Sequence, residues 1–170
     1  MTARDAIPSL NVIDTGKLFD DISRQWDDDI VPQLIEHHRH TFGGDRIRFQ
    51  QLDLVCDPLP AGDVCLVRQV LQHLSNKDIT TFLDRAFFDR LYVTEGQPEV
   101  REGAVNPDKL AGAHVRFDWG SGRGRGVELD QAPFARRTEE QFRTSLPSHE
   151  IIITERVYPD QKARHDGHRS

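Results

Sequence analysis

Cysteine is scarce in this chain. Cys56 and Cys65 are the two present in 170 residues, and they form no C-x-x-C pair. A disulfide-stapled scaffold or a thiolate zinc site is therefore not what the sequence is built around, and a reducing compartment fits it. Basic residues are outnumbered, with 22 Lys and Arg against 28 Asp and Glu, giving a net charge of −6. A general nucleic-acid or membrane-surface binder needs the opposite balance, because neutralising phosphates calls for a basic face. Nucleic acid is disfavoured as a partner on this ground, although a local basic patch remains compatible with it. No apolar run approaches the roughly 18 residues that span a bilayer, and no signal-peptide-like segment is seen. The expectation is a soluble, cytoplasmic protein with no membrane partner. Aromatic residues make up 8% and hydrophobic residues 36%, against 29% charged. That composition predicts a thin core with much polar loop. The length predicts one domain over residues 1–160, followed by a disordered tail over 161–170.

What is present concentrates between residues 47 and 75. Two apolar, β-branched-rich runs, 47–54 and 63–70, flank a Pro-Leu-Pro-Ala-Gly-Asp turn and read as buried strands. Ser75, three residues before Asp78 and ahead of Ile79, Phe82 and Leu83, reads as the N-cap of an amphipathic helix. Residues 90–94, RLYVT, then supply a further strand and complete a βαβ unit. In such folds ligands bind at the carboxyl ends of the strands.

The rest of the chain is less strongly patterned. Residues 11–16 read as a short strand ending in an acid and a glycine, and 18–26 as a brief helix. A second helix is predicted over 32–42, with Pro32 in its first turn and Gly43-Gly44 ending it. Residues 95–125 are rich in Gly, Pro, Asn and charge and read as a long loop, 138–145 as a helix, and 150–158 as a strand.

Four segments carry a family resemblance. They are Asp29-Ile30-Val31-Pro32-Gln33-Leu34-Ile35; Phe49 through Asp53, Leu54 and Asp57-Pro58-Leu59-Pro60; Arg68-Gln69-Val70-Leu71-Gln72-His73-Leu74-Ser75; and residues 129–134, ending in Ala132-Pro133-Phe134. In order and spacing the chain resembles class I S-adenosylmethionine-dependent methyltransferases, and within them a bacterial small-methyltransferase group. The resemblance implies a Rossmann-like α/β sandwich, mostly parallel, with an antiparallel last strand and an abbreviated N-terminal part. It implies S-adenosylmethionine as cofactor and an unidentified methyl acceptor as substrate. It assigns Asp29 to the ribose hydroxyls and Asp53 to the adenine amino group, with Leu54 beside it. Val67 and Arg68 would line the methionine end, and Arg68, Gln69 and His73 are the catalytic candidates. No metal is implied. Methyl transfer from a sulfonium is an in-line displacement to which a protein contributes proximity and orientation.

The family's first loop, D-x-G-x-G, is matched only by Asp14-Thr15-Gly16-Lys17-Leu18, where Leu18 replaces the second glycine. Asp14 and Gly16 are the cofactor-loop candidates. The interval from Asp14 to Asp29 leaves almost no room for a second strand. A lost strand opens a sheet edge, which a homodimer or the N-terminal lead-in would cover.

Plainer readings stand beside each assignment. Asp29 could cap the following helix, and Asp53 and Asp57 could be turn residues. His73, between Leu71 and Leu74, reads equally as a packed core histidine. The His37-His38-Arg39-His40 cluster reads as a solvated helix face, and residues 120–126, GSGRGRG, as a flexible loop or a substrate-facing lid rather than a phosphate loop. The rival to an enzyme is a non-catalytic methyltransferase-like module, used for binding or dimerisation, that has lost its cofactor.

Overall fold

A computed structural model describes residues 31–112, 114–118, 120–147 and 150–159. The chain divides into two compact units, Met1–Gln51 and Leu52–Ser170. Asp14, Gly16 and Asp29, with the expected strand over 11–16 and helix over 18–26, lie outside the described residues.

In the first unit the described residues form one helix, α1 (Val31–Phe42). Gly43 ends it, its N–H donating to the Arg39 carbonyl at 3.1 Å. A side chain at Gly43 would place its Cβ 2.3 Å from that carbonyl oxygen, so the close return of the chain requires glycine. Residues 47–50 do not form the expected strand. Arg39 instead donates from Nε to the Phe49 carbonyl at 2.7 Å, and the His38 ring packs 5.3 Å from that of Phe49.

The second unit is built on a four-stranded sheet of β1 (Val64–Arg68), β2 (Arg90–Pro98), β6 (Thr138–Ser145) and β7 (Glu150–Val157), in the order β1-β2-β7-β6. β1 and β2 are parallel and joined through α2 (Asn76–Arg85), as the βαβ reading requires. Ser75 caps α2: its Oγ accepts from the Asp78 N–H at 3.1 Å and donates to the Asp78 carboxylate at 2.6 Å. Removing such a cap costs about 1 kcal/mol. Ser75→Ala is accordingly expected to lower stability by about 1 kcal/mol in chemical denaturation, with no change in the fold.

The expected Rossmann-like, mostly parallel sandwich is overturned. β1–β2 is the parallel pairing of this sheet, whereas β2–β7 and β7–β6 are antiparallel. A second, small sheet mixes both senses: β3 (Val100–Arg101) pairs parallel to β5 (Arg123–Gly124), and β5 pairs antiparallel to β4 (Phe117–Asp118). The described residues hold two α-helices and one 3-10 turn, Leu71–His73. The fold is a small mixed α/β arrangement. Antiparallel neighbours need only a short connection, whereas each parallel pair needs a long crossover. The β6–β7 hairpin takes the short route.

Three local expectations also change. Residues 51–54 carry no strand, because the Asp53 carboxylate captures the N–H groups of Val55 and Cys56, at 2.7 and 3.1 Å, and turns the chain. Residues 138–145 form β6 rather than a helix. The loop expected from residue 95 begins later, since β2 continues to Pro98, and the 95–125 segment contains β3, β4 and β5.

One face of the large sheet carries the core. Val67, Leu91, Val93 and Val157 meet Ile79, Phe82 and Leu83 from α2, and Val127, Leu129 and Phe134 from the segment before β6. Burying such side chains contributes about 1.5–3 kcal/mol each. Cys65 is half-buried in β1 and its thiol is pushed up by that burial, whereas Cys56 is exposed.

Candidate functional site

The parallel pair sets the site. β1 and β2 point their carboxyl ends the same way, and the chain leaves β1 through Arg68 and Gln69. Gln69 holds a φ of +52°, a left-handed conformation that costs a branched or long side chain energy and is concentrated at functional loops. Its N–H donates to the Thr94 carbonyl at 2.7 Å, which fixes the turn against β2. Its side-chain Nε2 reaches the Glu150 carboxylate at 3.4 Å. Arg68 is exposed beside it.

Glu150 is 3% exposed, and burial raises its carboxyl above the usual range against the opposing Gln69 contact. It lies over Gly96, where a Cβ would sit 1.9 Å from its Oε1. Gln72, 3% exposed, completes the cluster, and its Oε1 has no hydrogen-bond partner among the described residues. Gln69, Gln72, Gly96 and Glu150 therefore form a polar cluster at the carboxyl end of the parallel pair.

Behind the loop sits a second buried carboxylate. Glu95 Oε1 accepts the N–H groups of Val70 and Leu71 at 3.1 and 2.8 Å, and Oε2 accepts that of Gln72 at 3.2 Å. Burial raises its carboxyl to about 7, against those three donors and the Arg116 charge. Glu95 anchors the backbone on which Arg68 and Gln69 stand.

The expected residues separate into groups. Arg68 and Gln69 are brought together at the strand end. His73 belongs to the adjacent 3-10 turn, and its carbonyl accepts from Lys109 Nζ at 3.0 Å and from the Gly112 N–H at 2.9 Å. This ties His73 into the loop framework. Val67 is buried toward the core at 6% exposure, so only its main chain is open to a ligand. Leu54 packs against the same core. Asp53 is exposed and its carboxyl is lowered, first by the Val55 and Cys56 N–H groups. Arg85 closes this loop from α2 by donating to the carbonyls of Val55 and Asp57. Among the described residues, no cluster of His, Cys, Asp or Glu is arranged to hold a metal ion. No helix of the described residues is long and apolar enough to cross a membrane.

Glu95, Gly96, Gln72 and Glu150 were not singled out from the sequence. A signal existed in the acids Glu95 and Glu150, which stand inside or at the end of runs that otherwise read as strands. A charged residue there must find a partner or shift its protonation.

No protein-family model, no curated protein and no solved structure matches the chain.

Proposed function

We propose that this chain is an S-adenosylmethionine-dependent methyltransferase acting on an unidentified acceptor. The observation that carries the reading is the Arg68–Gln69 turn at the carboxyl end of the parallel β1–β2 pair, held at a left-handed φ and anchored from behind by Glu95. It falls within one of the four segments that resemble the methyltransferase family, at the strand end where open α/β sheets take ligands.

One described side chain has the chemistry the reading asks of it, although its loop is held by Arg85 at the C-terminal end of α2, whereas the Arg68–Gln69 turn leads into the N-terminal end of that helix. Asp53 keeps an exposed, ionised carboxylate suited to accept from an amino group. Leu54 and Val67 would contribute main chain only. When bound, S-adenosylmethionine supplies a methyl group already activated on a sulfonium. Arg68 and Gln69 would position the acceptor, and the contribution of the protein is orientation.

Isothermal titration of the full chain with S-adenosylmethionine and S-adenosylhomocysteine tests the reading. The expected result is a Kd of about 1–50 μM, weakened at least about tenfold by Asp53→Ala and by Arg68→Ala, with both variants folded by circular dichroism. Absence of heat up to about 1 mM cofactor from a folded protein would sink it. The second reading, a binding or dimerisation module without cofactor, has one observation in its favour. On the sheet face opposite the core, Val64 and Leu66 of β1 are 48% and 77% exposed. Sedimentation in the same experiment separates the two readings.

A further inference from the structure

The acidic balance of the whole chain is not spread evenly over the large sheet. Strand alternation puts Val64, Leu66 and Arg68 of β1 on the face opposite the core, since Val67 between them is buried in it. Register carries that face across the other strands. Val64 pairs with Arg90 and Leu66 with Tyr92 across β1–β2, and Tyr92 pairs with Arg156 across β2–β7. Thr154 pairs with Phe142 across β7–β6. The face is open to solvent: Leu66 is 77% and Phe142 57% exposed, and Arg68 and Arg90 are exposed as well.

Three arginines surround one aromatic residue on this face. Arg156 is the direct cross-strand partner of Tyr92, Arg90 stands two residues before it on β2, and Arg68 is its diagonal neighbour on β1. Neighbours of these kinds lie about 5–8 Å apart. None of the three arginines has an ion-pair partner among the described residues. A fourth, Arg137, is exposed and stacks on Tyr158 at 4.4 Å, and Arg156 packs on the same ring at 4.7 Å. The acids here are fewer and already engaged. Glu139 accepts from the Tyr158 hydroxyl at 2.6 Å, and Glu150 is 3% exposed and receives Gln69. Asp63 and Asp89, just ahead of β1 and β2, mark the edge of the patch.

Basic groups interleaved with aromatic and apolar ones fit a polyanion that also carries flat rings. A second copy of this chain is a poor match, because a twofold contact on this face would set the arginines against their own like charges. A duplex is also a poor match, since its bases are stacked on one another and hidden from a sheet surface. An unpaired strand offers both parts at once: phosphates for guanidinium groups and open base faces for aromatic rings.

We propose that this sheet face binds single-stranded nucleic acid, with Arg68, Arg90 and Arg156 on the phosphates and bases stacking at Tyr92 and Phe142. Leu66 extends the apolar surface beside Tyr92. The site goes beyond the methyl-transfer reading and shares only Arg68 with it. Its test therefore rests on Arg90, Arg156, Tyr92 and Phe142, and a failure of cofactor binding leaves it standing.

Fluorescence anisotropy of labelled oligouridylate and oligothymidylate of about 12 nucleotides, titrated with the full chain, supplies the test. Saturable binding of at least one strand is expected, with a Kd below about 50 μM at about 50 mM salt. Three or four phosphate contacts give a log–log salt slope between about −2 and −3. Arg90→Gln and Arg156→Gln are each expected to weaken binding at least about threefold and to make the slope shallower by about 0.7. Phe142→Ala and Tyr92→Leu are expected to weaken it at least about fivefold with the slope unchanged. Arg143→Gln removes the same charge from the other face of the sheet, where Arg143 pairs with Ile153, and should leave the affinity as it was. Thermal melts confirm that each variant is folded. Four outcomes would overturn the proposal: no saturable binding of either strand to about 200 μM protein; equal affinity for the annealed duplex or for inorganic polyphosphate; the same weakening from Arg143→Gln as from Arg90→Gln; or a sedimenting dimer that excludes the oligonucleotide and is broken by Leu66→Ser.

Discussion

Replacing Glu95 with alanine is expected to lower the unfolding free energy of the second unit by about 3–5 kcal/mol, as read by urea denaturation. The carboxylate accepts three N–H groups, of Val70, Leu71 and Gln72, and Leu71 and Gln72 are at most 3% exposed. Each buried donor left without an acceptor costs about 1–3 kcal/mol. Relief of the desolvated carboxylate offsets part of that sum, which sets the upper bound below the simple total. Leucine at this position should fare no better, because it adds volume without an acceptor.

The same residue gives a pH signature. Its carboxyl sits at about 7 in the fold against an ordinary value of 4.5. A raised acid favours the protonated form in the folded state. Its contribution to stability is therefore fully present below pH 4.5 and is lost as pH rises through about 7. The size is on the order of 3 kcal/mol across that window. Glu150 and Glu155 are raised by burial too and act in the same direction. Glu95→Gln is thus expected to flatten the fall in stability between pH 5 and 7 without abolishing it. An unchanged slope in that variant would show that the carboxylate is ionised throughout and that the three donors outweigh burial.

The second large effect is expected at Asn106. Its Nδ2 donates to the carbonyls of Glu128 and Ala132 at 2.8 and 2.9 Å, and its Oδ1 accepts the Glu128 N–H at 2.8 Å. It is 4% exposed and sits at a φ of +45°, a conformation that asparagine tolerates better than most residues. The segment it holds delivers Val127, Leu129 and Phe134 to the core. Asn106→Ala is expected to cost about 3–4 kcal/mol, from the lost hydrogen bonds and the strained backbone together. Asn106→Gly keeps the backbone conformation accessible and isolates the hydrogen-bond part, at about 2–3 kcal/mol. Hydrogen exchange should rise first over residues 127–134. Equal protection there in Asn106→Ala and the parent would refute the role given to this side chain.

The parts of the fold that could be read in the sequence are those where one local signal is strong. Ser75 with Asp78 marks a helix start that tertiary contacts do not override, and the β-branched run at 64–68 does form a strand, though at the sheet edge with only Val67 buried rather than the buried strand expected. β6 was not legible for a physical reason. TEEQFRTS is an edge strand whose side chains are mostly exposed, so neither a two-residue nor a 3.6-residue apolar period is written into it. The end of β2 was hidden differently. Glu95-Gly96-Gln97-Pro98 has the composition of a loop, yet all four are buried, and partners far away in sequence bind the Glu95 carboxylate and the Gln97 amide nitrogen. The run at 47–54 shows the reverse failure, since its apolar residues suggested a strand that the Asp53 turn does not allow. The candidate site followed the same division: Arg68 and Gln69 were visible as the end of a strand, while Glu150 and Gly96 meet them only through sheet register.

The strand order carries a consequence for how the protein is made. β7 follows the other described strands in sequence yet lies in the middle of the sheet, between β2 and β6. During synthesis β1, α2 and β2 leave the ribosome long before the strand that completes β2's hydrogen bonding. The nascent chain therefore carries an unpaired β2 edge, from Leu91 to Pro98, until β7 emerges. A translational pause or a premature stop before Glu150 would leave that edge open to other chains. Release of the full β7 strand is thus the step at which the exposed β2 edge becomes the interior of a sheet.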